Sequence, residues 1–170
     1  MKLRAPESGG LVLDFVPADY FIPDGVRFVV VGADVGGNKS ASALAATGFF
    51  VKDGKLCAVL VDEFYDADNK SAESYISNYV EFAKKVKRSF KCIDCYFESG
   101  EQLLKNSCEN TGVLNIYNSV KLPIIDRIRF FDLMFSQGRL FIMDHCTYTI
   151  DAVRSAVCTM MNTIFCTGRQ

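Results

Sequence analysis

Asp53-Gly54 separates two apolar runs, SALAATGFFV and KLCAVLVDEF, and this arrangement limits the fold more tightly than any other feature of the chain. Aspartate followed by glycine readily adopts the positive backbone angles of a two-residue turn, so the runs are expected to pair as an antiparallel hairpin. A third apolar run, RFVVVGADV, lies just upstream and extends the hairpin to a three-strand meander. Downstream the pattern changes to strands alternating with helices.

Within NKSAESYISNYVEFAKKVKR, Tyr75, Tyr79, Phe82 and Val86 recur at three- and four-residue spacing, which predicts a helix, with Ser71 as N-cap. KCIDCYFE reads as a buried strand, EQLLKNSCEN as a short helix ended near Gly112, and VLNIYN as another strand. After Pro123, IIDRIRFFDLMFSQG places Ile124, Ile128, Phe131 and Phe135 on one helical stripe and stops at Gly138. RLFIM is expected as a short edge strand and TIDAVRSAV as a last helix. This order fits an α/β domain: a mixed central sheet, antiparallel meander first and parallel strands after, flanked by helices.

The chain has 170 residues, 49% of them hydrophobic, which suffices for one compact domain. Residues 1–25 hold three of the four prolines, at Pro6, Pro17 and Pro23, and read as an N-terminal arm or linker; residues 26–170 form the domain. With 19 basic and 20 acidic side chains, the net charge of -1 leaves any nucleic acid to be held by a local basic patch. No apolar stretch approaches the ~20 residues of a membrane span, and MKLRAPESGG lacks the apolar core of a secretory signal. A soluble intracellular protein with no membrane partner is expected. The seven cysteines read as buried thiols. Cys92 and Cys95 form a C-x-x-C pair, but residues three apart on a regular strand point to opposite faces, which argues against a shared metal.

GADVGGNKS is the segment richest in chemistry. Gly32, Gly37, Lys39 and Ser40 approximate the phosphate loop G-x-x-x-x-G-K-S/T, but Asn38 intrudes before the lysine and a strand follows where that motif needs a helix. An actin-like or sugar-kinase-like ATP-binding turn over Asp34 to Lys39 is an alternative. A third reading takes Asp34 as a metal ligand, because an acid directly after four apolar strand residues is poorly explained by turn capping alone. Glu98 repeats the arrangement: apolar strand, acid, then Ser99-Gly100. Two such acids on neighbouring strand ends can bind one or two metal ions that activate water at a phosphodiester. His145, the only histidine, sits between Asp144 and Cys146 and reads as structural, since adjacent side chains diverge.

Several segments together resemble the nuclease domain at the C-terminus of phage terminase large subunits, which has an RNase H-like fold. They are IPDGVRFVVVGADVGGNKSAS, VDEFYDADNKSAESY, YFESGEQLL and KLPIIDRIRFFDLMFSQGRLFI, in order from about Ile22 to Val157. The resemblance implies that Asp34 and Glu98 are catalytic ligands of Mg2+ or Mn2+, two ions in all, with glutamate standing where the family pattern has aspartate. It implies that Lys121 and Arg127, with Lys39, contact DNA or brace the site; read without the resemblance, the two basic residues are solvated helix-face charges and Asp126 is an ion pair or cap.

The expected function is an endonuclease cutting concatemeric double-stranded DNA in the host bacterial cytoplasm during viral genome packaging. A packaging ATPase domain, a small terminase subunit and a portal are the implied partners. The family pattern continues into a third acid, whereas this chain ends CTMMNTIFCTGRQ; Asp151, and after it Asp144, are the nearest substitutes. A nuclease-fold remnant that binds DNA without cutting it is therefore a further alternative.

Overall fold

The computed structural model describes residues 25–26, 28–36, 41–68, 71–98, 100 and 102–155. The expected arm falls on residues outside that set, except for Gly25. Six strands and four helices follow in the order β1 (Phe28–Asp34), β2 (Ser42–Lys52), β3 (Lys55–Asp66), α1 (Ala72–Ser89), β4 (Cys92–Phe97), α2 (Gln102–Asn110), β5 (Asn115–Asn118), α3 (Ile124–Ser136), β6 (Leu140–Ile142) and α4 (Thr147–Ser155).

The strands make one sheet ordered β5-β4-β1-β2-β3-β6. β1, β2 and β3 form the antiparallel meander, and β4, β5 and β6 each join a parallel pair. Asp53 and Gly54 both have positive φ, 50° and 72°, as the tight turn requires. β6 pairs only with β3 and is the expected edge strand. The next described element after β1 is the strand β2, where the phosphate-loop motif needs a helix, which argues against that motif.

Alternation along the strands gives the sheet two unlike faces. On one, Val29, Val31, Leu44, Ala46 and Phe97 are buried against Tyr75, Tyr79, Phe82, Ala83 and Val86 of α1. Ser71 caps α1 by accepting a 3.3 Å bond from the Ser74 amide. Gly48 is needed on this face: a Cβ there would stand 2.7 Å from Val26 Cγ1. Among the described residues, no helix is long and apolar enough to cross a membrane.

Two expectations change. Cys92 pairs with Val29 while Asp94 pairs with Val30, so Ile93 is an extra residue and β4 carries a bulge. The bulge restores Cys92 to the face of Cys95, and both thiols are buried there (1% and 0% exposed) instead of pointing apart. In α3, Phe135 and Met134 are buried, but Ile124 and Phe131 of the expected stripe stay exposed. The helix stands off the sheet over an apolar cavity of about 430 Å³, which Phe131 lines together with Ala45, Thr47, Phe49 and Leu60.

The second face is thus covered unevenly. α3 lies over β2, β3 and β6. The α4 N-terminus is fastened to β3 by the Glu63 carboxylate, which accepts from the amides of Tyr148 (2.7 Å) and Thr149 (2.9 Å) and from Thr149 Oγ1 (2.6 Å). Among the described residues, no helix lies over the part of this face formed by β1, β4 and β5, where the loop after β5 and the first turn of α3 border a pocket.

Candidate active site

Asp34 ends β1, and its alternation with buried Ala33 and Val31 turns its side chain to the open face. On the parallel neighbour β4, Phe97 pairs with Ala33, and the Glu98 amide donates to the Ala33 carbonyl at 3.3 Å, carrying the ladder one step further. Asp34 and Glu98 therefore sit side by side on adjacent strands, about 4.8 Å apart in the hydrogen-bonding direction. Both are exposed. The turn after Asp34 is secured by the Gly36 amide, which donates to Ser42 Oγ at 3.0 Å.

The pocket at these strand ends, about 430 Å³, is lined by Asp34 and Glu98 together with Tyr96, Ser119, Lys121 and Arg127. Lys121 arrives on the loop after β5, which starts where the Ser119 amide donates to the Phe97 carbonyl at 2.8 Å. Its Nζ lies 3.3 Å from Glu98 Oε1. Arg127 comes from the first turn of α3, where its amide donates to the Pro123 carbonyl at 3.2 Å. Asp126 points elsewhere, to Arg129 at 3.6 Å, and is the expected ion pair. The pocket floor is bare: Gly32, Ala43 and Ala45 supply no side chain larger than a methyl.

Four residues singled out from sequence thus share one pocket. Lys39 lies outside the described residues. Asp151 is exposed on α4 and does not line the pocket, although α4 begins on the same face of the sheet. Asp144 follows β6 at the far edge, 3.9 Å from His145 Nδ1. His145 Nε2 lies 3.0 Å from the Val61 carbonyl, a structural contact.

Sequence reasoning missed Tyr96, which lines the pocket, and Glu63, which faces the same side two strands from Gly32. Their only signal was strand alternation, which does not reveal which strands adjoin.

The donor set suits a hard divalent cation. Two carboxylates in register offer oxygens on one side and leave the remaining positions open to water or phosphate oxygens. Among the described residues, no group of three His, Cys, Asp or Glu side chains is placed to hold a metal ion. The buried thiols are no substitute. Burial pushes Cys108 and Cys146 up to about 12 and raises Cys92 and Cys95 as well, so all four stay protonated at neutral pH.

Comparison of the whole fold with solved structures finds large terminases. The large terminase of a thermophilic bacteriophage, in complex with ADP, superposes with a TM-score of 0.67 at 15% identity, over 83% of this chain and 34% of that one. The P22 large terminase nuclease domain gives 0.61 at 16% identity, over 89% and 76%. This chain has the fold of a large-terminase nuclease domain. That fold is RNase H-like, as the sequence led us to expect. The nuclease domain of the bacteriophage SPP1 large terminase, solved with bound Mn, aligns at 0.50 and 16% identity over 70% of this chain and 62% of that one. This chain spans 34% of the length of the whole thermophilic-phage terminase. No family model matches the sequence, and no curated protein matches it.

Proposed function

We propose that this chain is the endonuclease module of a viral genome-packaging terminase, cutting concatemeric double-stranded DNA with the help of a divalent metal. The observation that carries this reading is the pairing of Asp34 with Glu98 at adjacent parallel strand ends, in one pocket with Lys121 and Arg127. The bound Mn of the SPP1 domain supports a divalent ion as cofactor.

Each group has a definite task. Asp34 and Glu98 hold Mg2+ or Mn2+ between them, and a bound ion supplies Lewis acidity and an activated water for phosphodiester hydrolysis. Lys121 and Arg127 neutralise the phosphate and fix the DNA backbone over the pocket. The bare floor of Gly32, Ala43 and Ala45 lets that backbone come close. Holding two ions needs a third acid. Asp151 is our candidate, since α4 starts on the face that carries Asp34. Lys39 is a further candidate for DNA contact. By the same reading the protein works in the bacterial host cytoplasm beside a packaging ATPase domain, a small terminase subunit and a portal.

Plasmid cleavage in Mn2+ tests the proposal, comparing wild type with Asp34→Asn, Glu98→Gln and Asp151→Asn. Wild type is expected to nick and linearise supercoiled DNA, and each of the first two variants to lose about 100-fold or more, the scale of removing one charge-stabilising group from a hydrolytic site. Plasmid binding without cutting by wild type would instead indicate a nuclease-fold remnant that binds DNA.

A further inference from the structure

The proposed nuclease site leaves an aromatic feature beside it unexplained. Tyr96 on β4 and Tyr117 on β5 are in register on the open face, with ring centroids 5.6 Å apart and planes tilted 31°. They are 39% and 47% exposed, on the part of the sheet that neither α3 nor α4 covers. Two neighbouring aromatic faces open to solvent offer a surface on which something flat and apolar can rest.

On its other side Tyr96 is in register with Gly32. Neither backbone nor packing demands a glycine there: its φ is not positive, and a Cβ would meet only the Ala45 carbonyl oxygen at 3.9 Å. What the missing side chain does is leave the flank of Tyr96 open toward Asp34.

The surrounding charge selects the ligand. Lys121 and Arg127 line the pocket that Tyr96 shares with the acids. Asp94, the next acid along β4 on this face, accepts from Asn115 Nδ2 at 3.2 Å. Cations at the strand ends with bare rings behind them match a chain of phosphates carrying flat bases. Bases inside a duplex show only their edges, so the rings can stack only on bases that have left their partners. Tyr96 precedes Glu98 by two residues, roughly 7 Å at the usual rise of a strand. A base stacked there lies close to the phosphate held at the acids.

We propose that Tyr96 and Tyr117 form a stacking platform that holds unpaired DNA bases next to the Asp34–Glu98 site, so that the strand to be cut is bound locally opened. This rests on the nuclease reading, and binding in EDTA separates the two because no cleavage occurs there. Fluorescence anisotropy would follow a labelled oligothymidylate and a blunt duplex of equal length with three proteins: wild type, Y96A/Y117A and Y96F/Y117F.

The alanine pair is expected to lose roughly 10- to 100-fold in affinity for the oligothymidylate, the range of base–aromatic stacking, with duplex affinity within about two-fold. The phenylalanine pair, which keeps the rings, should bind both within about two-fold of wild type. Unchanged single-strand binding by the alanine pair, equal losses on both DNAs, or a phenylalanine pair as weak as the alanine pair would each overturn the platform. The Mn2+ plasmid assay would stand or fall independently of all three.

Discussion

Val31 and Gly32 are neighbours on β1, yet Val31 is fully buried beneath α1 while Gly32 lies exposed on the face that carries Asp34. The same division recurs on β4, where Phe97 is buried against Tyr75 and Tyr79, and Tyr96 and Glu98 face outward. Around β1 and β4 one face is closely filled by large apolar side chains, and the other is bare, charged and aromatic. β1 and β4 thus supply the core and the site at alternate positions, so stability and chemistry can change independently between adjacent residues.

The sharpest way to break this comparison is to substitute neighbours. Phe97→Ala is expected to cost about 3–5 kcal/mol in urea denaturation, the usual range for a buried phenylalanine, and much of a domain's total stability. Glu98→Gln, one residue on, should stay within about 0.5 kcal/mol of wild type by the same measurement. Similar costs for both would mean that the faces are not energetically separate.

Alkaline pH probes the buried core next. Burial raises the Cys108 and Cys146 thiols from 9.0 to about 12, so the folded state favours their neutral forms. Their contribution is fully present below about pH 9 and is lost as the pH rises toward 12, because the unfolded chain ionises first. The unfolding midpoint in urea should fall across that window. Replacing both thiols by alanine should flatten the fall, and an unchanged slope would contradict the assignment.

A smaller effect sharpens the same contrast. Tyr79 is fully buried, and its hydroxyl has no hydrogen-bond partner among the described residues. Tyr79→Phe removes an unpaired polar group and should raise stability by about 1 kcal/mol. A loss of that size in thermal denaturation would show that the hydroxyl is satisfied.

The sequence told most about what depends on local pattern. The turn at Asp53-Gly54, the Ser71 cap and the acids ending two apolar strands all arise from residues a few positions apart. What stayed hidden depends on strand neighbours. Placing Cys92 required the bulge at Ile93, which only pairing with β1 reveals. The approach of Lys121 to Glu98 and of Tyr96 to Tyr117 required the order β5-β4-β1, which alternation cannot give. The α3 stripe failed for a related reason: helical periodicity identifies an apolar face but not how closely the sheet meets it.

Titration of Mn2+ by calorimetry addresses the shared site most directly, using wild type, Asp34→Asn, Glu98→Gln and the double variant. If the two carboxylates hold one ion between them, each single substitution should weaken Mn2+ binding by at least about ten-fold and the double should add little, because coupled ligands are not additive. Wild-type affinity in either single variant, or losses that simply add, would show that Asp34 and Glu98 do not share a metal.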